Sequence, residues 1–451
     1  MAVESDPFVT GNAEGAGIPA SRFWPQGWWK LMELRVGVVP LPVHLLLLVI
    51  LTYFVASGKL PTEINMMIAV LAVLGFTCAE IGHRVPILNQ VGGAAIFATF
   101  IPSYLAYHHF IPSAIIRSVT DFTISTNFLY LFIAAVVAGS ILSMDRTALI
   151  KGFLKLFVPM AAGSVAAIVV GTAVGTALGL GTRHTLLMIV IPVMAGGIGE
   201  GAFPLSVGYA QLWHQPQGEL FTQVLPPVMF GSLTAVVFAG GLNFLGSRWP
   251  QLTGNGRLQR GESEQLATQE DTPINADVTH VAGAGLLVIT LYLLGVISFR
   301  IFKLPAPVTM LLLAVLIRLA QAVPPGLQQG AHVVYQFFRR AVTYPLLFAI
   351  GVALTPWDKL VAAFALPNLL TIIVTVVTLI GTGFMVGRWV NLYPIDTAIV
   401  IACRAGQGGT GDVAILTAAN RMSLMPFAQI ATRIGGAITI TLTLLILAHS
   451  S

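Results

Sequence analysis

Two short glycine-rich motifs, each ending in an acid, lie within an otherwise apolar chain. The first reads GGIGE at 196–200 and the second reads GGTGD at 408–412. Glycine allows positive φ, so such motifs interrupt a helix and leave backbone N–H and C=O groups free. Free N–H groups suit carboxylates, and free C=O groups suit Na⁺. The pair predicts a site for an organic anion and a cation; the alternative is that the glycines only permit tight helix packing.

An arginine follows the second motif at a depth that is unusual for a membrane helix. Arg433 is seven residues beyond Pro426, so a helix that begins at the proline carries it about 10 Å inward. Its planar guanidinium group can bind a carboxylate through two parallel hydrogen bonds. Gln429 and Gly436 lie on the same face of the helix. We expect Arg433 to bind substrate; pairing with Asp412 or snorkelling to the interface is the alternative.

Other polar residues beside the motifs leave several roles open. Arg404 opens the second glycine segment and either meets a further carboxylate or faces water at its mouth. Asp412 and Glu200 each follow the last glycine of a motif, where a carboxylate can cap a half-helix, bind Na⁺ or carry a proton. Cys403 is a small apolar residue whose carbonyl matters more than its sulfur.

The composition places these motifs in a membrane protein. Of 451 residues, 56% are hydrophobic and 9% are charged, and the mean hydropathy is +0.85. Apolar runs long enough to cross a core of roughly 30 Å recur along the chain. Two cysteines define no disulfide framework, and no Lys/Arg block is dense enough to bind nucleic acid.

The apolar runs predict an all-α polytopic protein with about eleven transmembrane helices and two re-entrant hairpins. The predicted spans are 38–56, 63–81, 88–109, 124–143, 154–180, 219–246, 281–298, 304–323, 341–356, 361–386 and 425–447. The hairpins, 184–212 and 393–420, are apolar but too glycine-interrupted to cross as plain helices.

The order of these elements predicts an inverted repeat. The predicted parts are a disordered cytoplasmic segment at 1–37, an extra first helix at 38–62, a first repeat at 63–246, a cytoplasmic linker at 247–280 and a second repeat at 281–451. Each repeat has five spans, with its hairpin before the last. An odd number of spans separates the repeats, so they are inverted, as in many secondary transporters.

Positive charge in the short loops predicts the orientation. The majority of basic loops lie on one side if the N-terminus is cytoplasmic, which puts the C-terminus outside. The first hairpin then enters from outside and the second from inside.

Three segments resemble signatures of the bacterial 2-hydroxycarboxylate transporter family, which includes sodium-citrate symporters and citrate/malate carriers. They read AGGIGEGAFPLSVGYA, RAGQGGTGDVAILTAANRM and LMPFAQIATRIGGA, and the resemblance covers nearly the full length. It implies a homodimer in the bacterial cytoplasmic membrane, with a dimerisation scaffold and a transport domain that moves as an elevator.

The resemblance also implies site residues. The implied substrate contacts are Ile198, Gly199, Gln407, Gly409, Thr410 and Arg433, with Arg404 as a further candidate from its position. The implied Na⁺ neighbours, partly through backbone carbonyls, are Gly196, Cys403, Thr410 and Thr432, beside Asp412. No cofactor is implied beyond Na⁺ as the coupling ion, with H⁺ as the alternative.

Two positions depart from the citrate-selective pattern. Ile198 stands where sodium-citrate symporters have an amide, and Gln407 where they have an arginine. Loss of one amide and one cation weakens the binding of a third carboxylate most. Malate therefore becomes at least as good a candidate substrate as citrate.

We therefore expect symport of a 2-hydroxy di- or tricarboxylate. The alternatives are an exchanger, which transports malate or citrate in exchange for lactate, and an anion channel. An enzyme is disfavoured because Ser206 has no recognisable histidine partner and no HExxH motif occurs.

Overall fold

The computed structural model describes residues 27–57, 61, 63–85, 93–126, 128–144, 146–258, 277–302, 304–353, 357–362, 364–406 and 409–450. In the first half the helices are α1 Gly27–Glu33, α2 Leu41–Ala56, α3 Ile64–Arg84, α4 Gly93–Tyr107, α5 Ser113–Thr126, α6 Phe128–Ile133, α7 Gly139–Ser143, α8 Arg146–Ala177, α9 Thr182–His184, α10 Ile191–Val193, α11 Phe203–Trp213 and α12 Gln217–Arg248. In the second half they are α13 Val278–Phe302, α14 Ala306–Leu319, α15 Pro325–Phe337, α16 Thr343–Ala353, α17 Trp357–Ala362, α18 Leu366–Trp389, α19 Pro394–Ala402, α20 Gly409–Ala418 and α21 Met425–Ser450.

The apolar helices confirm a mostly helical, multi-pass membrane protein. Within the described residues, six helices are long and apolar enough to cross a membrane, or seven if the pair Ser113–Thr126 and Phe128–Ser143, bent by 58°, counts as one span. Shorter apolar helices add to these, namely Leu41–Ala56, Gly93–Tyr107, Thr182–Val193 and Ala306–Leu319. A total of eleven spans remains a prediction, because several helices are shorter than the roughly 20 residues of a full crossing.

The helices form two groups that pack mainly within themselves. The first, which we call the frame group, contains α3 to α7 and α13 to α16. The second, which we call the hairpin group, contains α8, α12, α18, α21 and the two broken segments at 182–213 and 394–418. Helix α8 packs along α18. Helix α14 contacts α11 and α21 and so joins the two groups.

Wider π-helical turns interrupt the helices at four places in the described chain. They are Ala134–Ala138, Thr185–Val190, Ile198–Ala202 and Phe338–Val342. The turns at 134–138 and 198–202 pack on each other across the boundary between the two groups. Because π turns widen a helix locally and often lie at functional sites, this contact marks where the groups meet the first glycine motif.

Two predicted segments contain more structure than the sequence suggested. Residues 1–37 were predicted to be disordered, but the part from Gly27 holds α1 and a strand, Arg35–Val36, paired with Val39–Pro40. Helix α1 packs on α2, so its tryptophan-rich turn has a partner that hydropathy does not reveal. The predicted linker 247–280 likewise contains an ordered first part up to 258.

Candidate functional site

The first broken segment folds back on itself at its glycines. The chain is helical before residue 194 and again from Ile198, and the Tyr209 hydroxyl donates to the Leu187 carbonyl at 3.0 Å. This bond joins the two arms, so the segment is a hairpin. At its tip Gly196 has φ 89° and Gly197 has φ 105°. Side chains rarely tolerate such angles, and glycine is therefore required there.

The second broken segment is closed at its base by a buried ion pair. Helix α19 leads into the break and α20 leads out of it, and Arg421 Nε lies 3.5 Å from Asp396 Oδ1. The Asp396 carboxylate also accepts from the Thr253 hydroxyl at 2.8 Å and from the Gly256 amide at 2.7 Å. The ordered start of the linker therefore binds the base of this hairpin.

The last helix, α21, crosses directly against the tip of the first hairpin. A Cβ atom added to Gly196 would lie 2.5 Å from the Thr432 carbonyl oxygen, and one added to Gly436 would lie 2.5 Å from the Ala195 carbonyl oxygen. Glycine on both sides of this contact allows the backbones to approach so closely. The approach brings Arg433 next to the first motif.

Arg433 is buried and paired on two sides. Its Nε lies 3.6 Å from Glu200 Oε1, and the two side chains are 8% and 10% exposed. Its Nη2 bonds the Tyr335 hydroxyl at 3.2 Å, and its Cζ lies 5.0 Å from the centre of the Tyr335 ring. Glu200 and Arg433 belong to the hairpin group, and Tyr335 belongs to the frame group. The guanidinium therefore lies where both groups and the first motif meet.

Arg404 connects both hairpins to α21. It is 2% exposed, and its Nη2 donates to the carbonyls of Met194 and Gly435, each at 3.2 Å, and to the Thr439 hydroxyl at 2.6 Å. Its Nε is buried and has no hydrogen-bond partner among the described residues. Nη2 is thus occupied by the protein, while Nε, on the same edge of the guanidinium, keeps a donor for a ligand.

Three oxygens converge beside the second break. The Thr432 hydroxyl lies 2.9 Å from the Cys403 carbonyl oxygen and 2.8 Å from Asp412 Oδ1. A hydroxyl has one hydrogen, so it cannot donate fully to both acceptors at once. A proton on Asp412 or a small cation among the oxygens would resolve this competition. The Cys403 thiol bonds the Ile399 carbonyl at 3.4 Å, within its own helix.

The predicted site residues occupy neighbouring elements where the structure describes them. Ile198 and Gly199 begin the π turn that carries Glu200, and Gly409 and Thr410 begin α20. The Thr410 side chain and all of Gln407 lie outside the described residues. Gly196, Cys403, Asp412 and Thr432 lie at the hairpin tips and on the facing part of α21. Their assigned roles remain predictions.

Sequence reasoning missed the contribution of the frame group. Tyr335 is 1% exposed and lies between two guanidinium groups, with Arg339 Cζ 5.9 Å from the centre of its ring. The positive-charge rule alone predicts a cytoplasmic loop at Arg339. The four-residue spacing, which places both residues on one helix face, was the available signal.

Comparison with known proteins identifies the family. The model of the 2-hydroxycarboxylate transporter family matches residues 36–445. This chain belongs to that family. The resemblance predicted from the glycine motifs is confirmed, and the chain is a transporter rather than an enzyme.

Named members of the 2-hydroxycarboxylate transporter family match nearly end to end. A citrate/malate-proton symporter of Bacillus subtilis (strain 168) is 54% identical, with 94% of each chain covered. A Na(+)-malate symporter of the same organism is 36% identical, over 91% of this chain and 92% of the relative. A citrate/sodium symporter of Klebsiella pneumoniae is 31% identical, over 92% and 95%. The names of these relatives include both coupling ions and both acids.

Proposed function

We propose that this chain is a secondary transporter that couples H⁺ or Na⁺ to the symport of a 2-hydroxy di- or tricarboxylate such as malate or citrate. The observation that carries the proposal is the buried Arg433 guanidinium beside the glycine tip of the first hairpin. A buried arginine costs several kcal/mol unless an anion compensates it, and its fork binds a carboxylate bidentately.

The proposed substrate contacts surround this guanidinium. Arg433 binds one carboxylate, and Arg404 Nε, which has no hydrogen-bond partner in the described part of the chain, is available to a second. Backbone N–H groups at Ile198 and Gly199 and at Gly409 and Thr410 begin helical segments, where the helix dipole favours negative charge. Gln407 contributes neutral donors.

The proposed cation site is the group of oxygens beside the second break. It comprises the Cys403 carbonyl, the Asp412 carboxylate and the Thr432 hydroxyl, with backbone at Gly196 nearby. The Thr410 hydroxyl, which lies outside the described residues, is proposed as a further ligand. Carbonyl, hydroxyl and carboxylate oxygens suit Na⁺, and a proton on Asp412 satisfies the same group. Relatives coupled to each ion support both possibilities.

We propose elevator-like alternating access in a homodimer. In this mechanism the hairpin group carries substrate and the frame group holds the dimer. The preference of each group for internal contacts supports this division. The Arg433 to Tyr335 contact crosses the boundary, so it would break when the hairpin group moves. The proposed setting is the bacterial cytoplasmic membrane, with the N-terminus cytoplasmic and the C-terminus outside.

Gradient-driven uptake tests the proposal. The purified protein is placed in proteoliposomes, and uptake of labelled malate and citrate is measured with an inward H⁺ gradient, an inward Na⁺ gradient or neither. The proposal predicts accumulation above the external concentration with at least one gradient and none without. Equal uptake under all three conditions would contradict symport.

A further inference from the structure

We infer that Glu200 is an exchangeable partner of Arg433: a substrate carboxylate takes its place on the guanidinium, and the released Glu200 carboxylate accepts one proton, which travels with the substrate. The inference deepens the proposed function and rests on it. It makes Glu200 a coupling residue of the first motif.

The resting contact between Glu200 and Arg433 is incomplete. Arg433 Nε lies 3.6 Å from Glu200 Oε1, and Glu200 Oε2 is buried without a hydrogen-bond partner among the residues that the structure describes. A carboxylate in a bidentate pair with arginine accepts a hydrogen bond on each of its two oxygens. Leaving one oxygen unsatisfied in a buried site is costly, so this pair is easier to exchange than a bidentate pair.

The substrate competes for the same edge of the guanidinium. Nε faces Glu200 and Nη2 faces the Tyr335 hydroxyl, and these two nitrogens form one binding edge of the arginine fork. A substrate carboxylate that binds there bidentately must displace Glu200. Once displaced, the Glu200 carboxylate has lost its counter-ion and stands beside a second anion.

The charged and titratable groups around Glu200 come from several elements. Arg433 approaches from α21 and Tyr335 from α15, while Asp412 at the start of α20 interacts with it electrostatically. Arg339, on the π turn after α15, acts on Tyr335 and Asp412. A bound anion therefore changes the electrostatic environment of Glu200 together with that of these neighbouring groups.

The charge balance of this group calls for one proton. Arg404, Arg433 and Arg339 bring three positive charges, and Glu200 and Asp412 bring two negative charges. A dianionic hydroxycarboxylate adds two more, which leaves one uncompensated negative charge in a buried site when the oxygens beside the second break hold neither Na⁺ nor a proton. A proton from water that binds the released Glu200 oxygen restores neutrality, and it leaves when substrate departs and Arg433 regains its partner.

Glu200 carries this proton rather than Asp412 because Glu200 is the carboxylate that the substrate displaces from Arg433. Asp412 Oδ1 lies 2.8 Å from the Thr432 hydroxyl, which is not part of the arginine fork. Glu200 exchanges an arginine for an anion and is therefore the carboxylate that is left without its counter-ion.

Proton uptake on binding provides the test. Malate binding to the detergent-purified full-length protein is followed by isothermal titration calorimetry in buffers of different ionisation enthalpy above about pH 7, where malate is fully ionised. The wild type should take up close to one proton per malate, so its Kd should rise nearly tenfold per pH unit. Glu200→Gln should take up close to none and bind with nearly constant Kd.

Two further variants control the measurement. Glu80→Gln removes a glutamate that pairs with Arg84 at 3.0 Å on α3, away from the site, and should behave as wild type. Glu200→Asp keeps a titratable carboxyl and should retain the proton uptake. If the glutamine variant fails to fold, Asp412→Asn decides: retained proton uptake excludes Asp412 as the carrier and supports Glu200, and lost uptake overturns the inference.

Distinct outcomes overturn the inference. Wild-type malate binding without proton uptake contradicts it, and so does full uptake in Glu200→Gln. Loss of uptake in Asp412→Asn with retention in Glu200→Gln assigns the proton to Asp412 instead. If the folded wild type binds neither malate nor citrate at any pH, the proposed function fails and this inference fails with it.

Discussion

Arg433 is held by groups that a carboxylate can replace. Its partners include one oxygen of Glu200 and the hydroxyl and ring face of Tyr335. Helix spacing from Pro426 was enough to predict that this arginine lies deep. Its partner was not predictable in the same way, because Glu200 is more than two hundred positions earlier and comes close only through the hairpin.

Replacing Arg433 by lysine tests whether bidentate hydrogen bonding by the guanidinium group contributes to substrate binding. Arg433→Lys keeps the charge but loses bidentate geometry, so we expect malate affinity to fall about tenfold or more, on the scale of one charge-assisted contact. The measurement is the Kd of malate by calorimetry. Arg84→Lys, at an exposed pair on α3, is the matched control. Unchanged affinity in Arg433→Lys would remove this residue from the site.

We expect two departures from the citrate pattern, Ile198 and Gln407, to determine which acid the site prefers. Ile198 is 6% exposed and brings no side-chain donor, and Gln407 brings only neutral donors. A third carboxylate would therefore lack a partner. We expect malate to be transported, and citrate to compete better as the pH falls toward about 5 and its third carboxyl gains a proton.

The double variant Gln407→Arg with Ile198→Asn should shift preference toward citrate. Competition of each acid against labelled malate, in wild type and variant across pH, gives the comparison. If citrate already outcompetes malate at about pH 8 and the double variant changes nothing, this specificity argument is wrong.

At the scale of elements, the hairpin tips depend on glycine for two separate reasons. Gly196 and Gly197 have positive φ, and Gly196 also faces the Thr432 carbonyl of α21. The sequence predicted both broken segments from glycine spacing alone. It did not predict that α21 lies against the first tip, because that contact depends on tertiary packing between distant segments.

A single methyl group at the first tip should therefore impair transport. Gly196→Ala adds a Cβ 2.5 Å from the Thr432 carbonyl oxygen at a φ that costs about 1–2 kcal/mol, so we expect uptake to fall at least tenfold. Gly381→Ala is the matched control, because a Cβ on that α18 glycine meets nothing within 4 Å. Size-exclusion chromatography checks that both variants stay folded. If Gly196→Ala takes up substrate as well as the wild type, transport does not require the close approach of the hairpin tip to α21.

At the scale of the whole molecule, the site lies between two groups of helices. Arg433, Glu200 and Arg404 belong to the hairpin group, while Tyr335 and Arg339 reach it from the frame group. Hydropathy predicted the class and most helix positions to within a few residues. It could not assign helices to groups, because apolar residues face lipid and protein alike.

Counterflow is the measurement that tests the central claim most directly, namely that Arg433 and the two hairpins form a carrier site for a carboxylate. Proteoliposomes are loaded with unlabelled malate and diluted into a trace of labelled malate without any ion gradient. We predict a transient accumulation of label in the wild type and in Arg84→Lys, and a much smaller one in Arg433→Lys. Label that only equilibrates in the wild type, as through a channel, or that accumulates equally in Arg433→Lys, would contradict the claim.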